Sequence, residues 1–211
     1  MRLTPVLAII LALSACTLVR QPTRMLGQDT RNWQEVITEK DRARLNDWRK
    51  TFIAALAAAR ASGHPDEIAR EGPLLDPDAA LPGPALPNGT YSCRMIKLGA
   101  SGTGLRDFVA LPARTCRIIP ENGLQLLKTI GGPQRPVGII FADDAMRGVF
   151  LGSLVLGDEQ GAFQYGLDEQ RDIVGYVERV GAQRWRLVMP RPVFESQLDV
   201  MELVPSTGGT R

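Results

Sequence analysis

The chain has 211 residues, of which 25 are Lys or Arg and 23 are Asp or Glu, and its formal net charge is +2. The basic residues are scattered rather than clustered, so the sequence shows no electrostatic signature of a nucleic-acid-binding surface. One histidine, His64, and three cysteines leave few ligands for a transition-metal site. Composition therefore predicts no nucleic-acid partner, no metal and no cofactor.

The N-terminus carries a short apolar run at residues 6–13, which follows Arg2 and leads into the sequence LSAC at 13–16. This run is well below the ~20 residues that span a bilayer, so it is typical of the apolar part of a signal peptide. The LSAC ending is similar to the bacterial lipobox, in which the cysteine receives a diacylglycerol through a thioether and becomes the mature N-terminus. A plain secretory signal with an incidental cysteine is the alternative.

We therefore predict a lipoprotein signal peptide at residues 1–15 and lipidation at Cys16. Thr17 stands where the common inner-membrane retention signal has Asp, which favours anchoring in the outer membrane, facing the periplasm. Each buried methylene of an acyl chain contributes about 0.8 kcal/mol, so two or three chains hold a protein firmly. Residues 16–31 are mostly polar and lack periodicity, which predicts a tether.

Two cysteines remain once Cys16 is lipidated. Cys93 and Cys116 are an even pair, and an oxidising periplasm favours a disulfide between them. Two free thiols and a metal-binding pair are the alternatives, the second of which would want more Cys or His ligands than the chain has. The disulfide is the prediction.

Residues 32–87 are predicted to form a helical segment followed by a proline-rich connector. The sequence from Thr38 resembles a capping box, and apolar residues then recur at helical spacing until Gly63, where a helix would end. That apolar stripe comprises Leu45, Trp48, Phe52, Leu56 and Ala59, with Trp33 expected in the same contact. A second short helix is predicted from Pro65. Five prolines between 72 and 87 predict an extended connector.

Residues 88–205 are predicted to be an antiparallel β domain, because short segments rich in β-branched and aromatic residues alternate with turn residues. About eight strands in this length suit a barrel or a sandwich. The fold class is therefore α+β, mainly β, with the amphipathic helix packed on a lipocalin-like barrel or a sandwich. Residues 206–211 are predicted to be a disordered tail. The candidate strands are GTYSCRMIKL, RDFVAL, RTCRII, LQLLKTI, VGIIFA, GVFLGSLVL, DIVGYVERV, RWRLVM and LDVMELV.

Alternation along two strands identifies candidate residues for the interior. Tyr91 and Met95 share one face with Cys93, and Trp185 and Leu187 share one face of a later strand. An eight-stranded barrel has room for side chains or one small ligand. If Tyr91, Met95, Trp185 and Leu187 leave a cavity, ligand binding is favoured, and if they fill the barrel, the protein works by its surface.

Catalytic motifs give little support for an enzyme. The segment 99–104 lacks the ending of a phosphate-binding loop and the frame of a nucleophile elbow. The acid pairs at 143–144 and 158–159 are expected to cap turns rather than bind calcium. His64 lies outside the strand domain, so no base is at hand for a serine. A glycosidase-type carboxylate pair stays open, because such residues meet only in three dimensions.

Four long blocks carry a family resemblance, namely residues 32–64, 71–99, 135–159 and 177–205. In order and over nearly all of the mature chain, they resemble the uncharacterised bacterial family catalogued as domain of unknown function 4893. The resemblance implies a single unit of helix and strand region, and it implies no activity. Gly89, Thr90 and Tyr91 are also similar to the first strand of lipocalin-like barrels, at the level of fold alone.

The sequence therefore predicts a periplasmic lipoprotein that binds without chemistry. Its partner would be a small apolar ligand in the barrel, or an envelope protein on its rim that it would contact in the manner of an inhibitor. A hydrolase that acts on an envelope polymer is the alternative, as is a structural role in envelope assembly, in which the helix stripe would dock on a partner.

Overall fold

The computed structural model describes residues 31–206. The predicted signal peptide, the lipidation site Cys16, the predicted tether up to residue 30 and residues 207–211 lie outside that range. Between residues 31 and 206, no helix has both the length and the apolar character needed to cross a membrane.

All nine predicted strand segments form strands, and every pairing between them is antiparallel. Consecutive strands pair with each other from the third onward, joined by tight turns or loops. The strands are β1 Gly89–Ala100, β2 Phe108–Ala110, β3 Arg114–Glu121, β4 Leu124–Ile130, β5 Gln134–Ala142, β6 Arg147–Leu156, β7 Asp172–Gly181, β8 Arg184–Pro190 and β9 Ser196–Pro205.

The sheet closes on itself because β1 pairs on both of its edges. One edge pairs with β9 from Tyr91 to Ala100, and the first half of the other edge pairs with β3. The second half of that edge pairs with the short β2. Eight strands thus form a closed antiparallel barrel with β2 as an extra strand, which confirms the mainly β fold class and selects the barrel over the sandwich.

Helical residues precede the barrel. Thr38 Oγ1 accepts a hydrogen bond from the Asp41 amide at 3.2 Å, which confirms the predicted cap. The prediction of one continuous helix from Thr38 to Gly63 is wrong, because the chain turns at Asp47. The elements are α1 Trp33–Val36, α2 Glu39–Asn46, α3 Trp48–Ala61, α4 Pro65–Glu71 and a 3₁₀ turn at Gly72–Leu75.

The break at Asp47 has a geometric cause. The helix α2 lies on β7, whereas α3 lies on β1, β8 and β9. A straight helix of this combined length would extend about 1.5 Å per residue along a line and leave the curved barrel surface. Splitting it lets both pieces bury their apolar faces against the wall.

The outer wall of the barrel is therefore largely covered by helices. Phe52 and Ala59 are fully buried in α3 and pack against Ile96, Val188 and Val200 on the outer faces of β1, β8 and β9. Burial of this stripe against the chain's own barrel is the packing that the sequence predicted.

The prediction for Trp33 holds only in part, because Trp33 packs with Leu45 of the stripe and not with Phe52. It packs with Ile37 and Leu45 against a different part of the wall, and its Nε1 donates to Asp143 Oδ1 at 3.0 Å. The break between the helices separates the two contacts.

The proline-rich connector closes one end of the barrel. The Leu81 amide donates to the Arg179 carbonyl at 2.8 Å, and the Gly83 amide donates to the Ala145 carbonyl at 2.9 Å. Leu86 is buried in the barrel core, and its carbonyl accepts from Gln125 Nε2 at 2.8 Å. We call this the connector end and the opposite one the open end.

A buried ion pair fastens the start of the connector. Arg186 and Glu178 both have fully buried side chains, and Arg186 Nη2 lies 2.7 Å from Glu178 Oε2. Arg186 Nη1 also donates to the carbonyls of Leu74 and Asp76, at 2.9 and 2.6 Å. An outward-facing arginine is therefore buried because the connector lies over it.

Candidate functional site at the open end of the barrel

The half of the interior near the connector end is filled by side chains. Tyr91, Trp185 and Leu187 are all buried in one core cluster. The rings of Tyr91 and Trp185 meet edge to face with centroids 6.4 Å apart, and burial raises the pKa of Tyr91 to about 12. Three of the four predicted interior residues are thus core.

Cys93 and Cys116 form the predicted disulfide, which joins β1 to β3 across 23 residues of sequence. Both cysteines face the interior, and Cys116 pairs in register with Tyr91. Cys93 also lines the cavity described next, so the disulfide lies between the filled half and the hollow half of the barrel.

A cavity of about 250 Å³ occupies the open end. Its apolar wall includes Met95, Leu111, Pro136 and Met201. A small extension of about 50 Å³ shares Met95 and Pro136 and reaches Ile173. The volume lies just below the range of about 300–1,000 Å³ that is usual for small-molecule sites. Met95, the fourth predicted residue, thus lines a cavity.

An ion pair lies at the junction of the cavity and its extension. Lys97 and Asp199 are about 5% and 6% exposed, and Lys97 Nζ lies 2.9 Å from Asp199 Oδ2. The half-exposed Glu195 lies 3.4 Å from the same ammonium. Ser196 Oγ donates to the second Asp199 oxygen. Burial raises the pKa of Asp199, against the opposing effect of the Lys97 charge.

Two buried polar atoms at the cavity lack a hydrogen-bond partner, namely Thr129 Oγ1 and Asp172 Oδ2. Thr129 is about 6% exposed and lines the main cavity, whereas Asp172 is about 3% exposed and lines the extension. Buried polar groups are almost always paired, so an unpaired one beside a cavity is a candidate contact for a ligand or an ordered water.

Asp172 has a perturbed carboxyl group. Burial is the main cause that raises its pKa to about 6, and a hydrogen bond from the Gly166 amide, at 3.0 Å, opposes the shift. The nearby Asp41 raises the pKa further, and Arg44 lowers it. Arg44 also donates to the Asp172 carbonyl at 3.0 Å, which ties this edge of the cavity to α2.

Arg114 supplies a cation at the rim. It is the first residue of β3, exposed, and its side chain lies beside Gly132 of the next turn. Within residues 31–206, its guanidinium has no ion-pair or hydrogen-bond partner. The site therefore combines an apolar wall, a satisfied ion pair, an unpaired hydroxyl and an unpaired guanidinium.

A second depression, of about 350 Å³, lies at the connector end beside Ala85, Gly123 and Gly148. None of the unpaired buried polar atoms found among residues 31–206 lines it. The open end is therefore the better candidate site.

The acid pairs picked out in the sequence lie in turns. Asp144 Oδ1 accepts from the Met146 and Arg147 amides at 2.7 and 2.8 Å. Glu159 accepts from the Leu156 amide at 2.8 Å and pairs with Arg171 at 2.8 Å. In the described part of the chain, no three Cys, His, Asp or Glu side chains group as metal ligands would.

The remaining candidates lie away from the cavity. His64 stacks on Phe108 with centroids 5.4 Å apart, and its Nδ1 lies 3.3 Å from Glu67 Oε1. Gly99, the residue before the last one of β1, has a left-handed backbone with φ of 67°, and the loop to β2 begins after Ala100.

The sequence patterns did not identify Lys97, Asp199, Thr129 and Arg114 as cavity residues. A signal for Lys97 was present, because the alternation of Tyr91, Cys93 and Met95 continues to Lys97. A lysine in register with the inward face of a strand is unusual, since buried charges need a partner. Thr129 carries no such signal.

This arrangement can hold a small molecule by its apolar surface and orient it by a few polar groups. Proton transfer in the main cavity is less favoured, because Lys97 contacts both its one carboxylate, Glu195, and Asp199 of the extension.

A family model described as Domain of unknown function (DUF4893) matches residues 33–203. The match spans the helices, the connector and all nine strands. No curated protein and no solved structure matches the chain.

Proposed function

Since the chain belongs to the DUF4893 family, whose description names no activity, we propose from the cavity itself that this protein is a non-catalytic binding module for a small, largely apolar ligand. The single observation that carries the proposal is the hollow open end of a barrel whose other half is packed. Packed interiors have few voids larger than a water molecule, whereas this end of the barrel holds an open cavity of about 250 Å³ with Met95, Pro136 and Met201 in its wall.

The polar groups of the cavity support the same function. Small-molecule sites are mostly apolar, with a few placed polar groups that fix orientation. Here Lys97 and Asp199 satisfy each other, and Thr129 Oγ1 has a free hydrogen-bonding capacity inside the cavity.

The alternative of a hydrolase for an envelope polymer would use Glu195 beside the main cavity, with Asp172 or Asp199 beside its extension. Glu195 and Asp199 both contact the Lys97 ammonium, and one oxygen of Asp172 accepts from the Gly166 amide. Binding therefore explains the geometry better than acid–base chemistry does. Product formation from an envelope polymer that stops in Asp199→Asn would reverse this preference.

We test binding with N-phenyl-1-naphthylamine, an uncharged apolar probe whose emission rises in dry surroundings. The unsubstituted protein should give saturable binding. Met95→Trp should weaken it by tenfold or more, because the indole would fill the cavity that Met95 lines. Native mass spectrometry of protein purified from its own host would show a co-purifying ligand directly.

Ile53→Trp is the matched control, since Ile53 is about 46% exposed on α3 and lies outside the barrel. It should leave probe affinity unchanged. Absence of saturable binding, or equal affinity in Met95→Trp, would contradict the proposal. Urea unfolding of both variants establishes that they are folded.

We also propose that the domain is a lipoprotein, anchored through Cys16 to the periplasmic face of the outer membrane. The LSAC sequence at 13–16 supports this anchor, and the Cys93–Cys116 disulfide suits an oxidising compartment. The first described residues lie near the connector end, where Trp33 meets Asp143, so a tether that arrives there leaves the open end unobstructed. The intact mass of the processed protein tests this proposal.

A further inference from the structure

Thr129 and Arg114 are neighbours on the interior face of the sheet. Thr129 pairs in register with Cys116, and Arg114 lies two residues before Cys116 on the same strand. Diagonal neighbours of this kind have Cα atoms about 7–8 Å apart, within reach of a long side chain. A flexible guanidinium and a buried hydroxyl can therefore contact one small polar group together.

Among the described charged side chains at the main cavity, Arg114 is the one without an ion-pair partner. Lys97 is paired with both Asp199 and Glu195, so the two carboxylates are already satisfied. Arg114 has no partner within residues 31–206. These four charges balance, but only the Arg114 guanidinium lacks a partner. An anionic head would therefore find an unpaired cation, whereas an ammonium would compete with Lys97 for carboxylates that are already paired.

The type of anion follows from the donors. A guanidinium presents a fork of N–H groups that matches the two oxygens of a carboxylate, and such charge-assisted bonds are the strong ones. The Thr129 hydroxyl adds one more donor. A phosphate monoester carries about −1.5 to −2 charge, so a single free cation would leave part of its charge unmatched.

We propose that the ligand is an amphiphile with a carboxylate head, an inference that rests on the proposed function. Arg114 and Thr129 bind the head at the open end, and the apolar body lies along Met95, Pro136 and Met201. Lys97 and Asp199 stay paired and form the wall of the site on the side of the extension.

Four ligands with the same eight-carbon chain test the head group by calorimetry, namely octanoate, octan-1-ol, octylammonium and octyl phosphate. The protein is the chain from Thr17 to Arg211, which keeps every described element and lacks the acyl chains that would compete for the cavity. Octanoate should bind at least tenfold more tightly than each of the other three.

Two substitutions test the assigned residues. Arg114→Gln should abolish the preference for octanoate over octan-1-ol. Thr129→Val should weaken octanoate binding severalfold without lowering the urea midpoint, since the hydroxyl has no partner in the protein to lose. A purely structural role for Thr129 would instead lower the midpoint and spare the affinity. Arg117→Gln, an exposed arginine on the same strand, should leave affinity unchanged.

The outcomes separate the two proposals. Equal binding of octan-1-ol or octylammonium would overturn the carboxylate head and leave the cavity as a binding site. Tighter binding of octyl phosphate would overturn the single-charge argument. A preference that survives Arg114→Gln would overturn the assignment of that residue. Failure of all four ligands to bind would overturn both this inference and the proposed function.

Discussion

Inward-facing polar side chains concentrate at the open end of the barrel. Lys97, Thr129 and Asp199 are all nearly buried there, whereas the half near the connector end is filled mainly by apolar and aromatic residues. Taking two charges out of water costs about as much as their pairing returns, so a buried ion pair is weak evidence for stability. The polar groups are better explained by a role in the cavity than by a role in folding.

Asp172 gives the first prediction at this scale. Its pKa of about 6 in the folded protein exceeds the value of about 3.9 in an unfolded chain. The folded state therefore holds this proton more strongly, so the carboxyl stabilises the fold below pH 4, and that contribution is lost as the pH rises through 6. Between pH 4 and pH 7, the unfolding free energy of the unsubstituted protein should fall as this contribution is lost. In Asp172→Asn that fall should be smaller by about 1–2 kcal/mol, after allowance for solvent screening.

Urea unfolding at several pH values measures this effect. Asp158→Asn, at an exposed position of the loop that leads to β7, serves as the control and should keep the full pH dependence. If the unfolding free energy varied with pH in the same way in Asp172→Asn and in the unsubstituted protein, the result would contradict a pKa of Asp172 raised by burial.

At the scale of elements, the helices are the outer covering of the barrel wall. The helix α3 presents Phe52 to the outer faces of β1 and β8, where Ile96 and Val188 are fully buried. The guanidinium carbon of Arg186 lies 5.3 Å from the centroid of the Phe52 ring. The apolar contact of α3 is therefore adjacent to the Arg186–Glu178 ion pair that holds the connector. Loss of the helix contact would expose both.

Phe52→Ala should therefore lower the unfolding free energy by about 3–5 kcal/mol, because a large side chain is removed from a fully buried position. Ile53→Ala, the next residue along α3, should change it far less, by about 0.5 kcal/mol, because Ile53 is about 46% exposed and lies outside the buried stripe. Urea unfolding of the two variants side by side measures the difference. A similar small effect for both would mean that the helix does not rest on the barrel.

At the scale of the whole molecule, the barrel has one end closed by its own connector and one end open. Backbone hydrogen bonds from Leu81 and Gly83, together with Leu86, close the first end. The described chain also begins near that end, where Trp33 contacts Asp143. An anchor that enters from this side would keep the cavity accessible from solution.

The predicted export and anchoring have a mass signature. The mature protein should begin at Cys16, carry the mass of its acyl groups, and be lighter by two hydrogens than its fully reduced form. Intact-mass spectrometry under non-reducing and reducing conditions measures all three. Cys16→Ser should remove the acyl mass and leave the disulfide. An unprocessed N-terminus with reactive thiols at Cys93 and Cys116 would refute the export proposal.

Much of the fold follows from local patterns. Strand periodicity identified all nine strands, and the alternation of Tyr91 with Cys93 placed both on the inner face of β1. The capping pattern at Thr38 located the start of α2. The break at Asp47 did not follow, because it depends on the curvature of a wall built from residues that come later in the chain.

Spacing along the chain and a count of cysteines were enough to predict the strands, the helix start, the cysteine pairing and the inward faces of Tyr91 and Trp185. Three further features could be seen only once the chain was folded: the barrel is closed, the connector blocks one end, and the interior is filled in one half and hollow in the other. These features depend on how residues more than 100 positions apart, such as Lys97 and Asp199, pack together, and no local pattern records that packing.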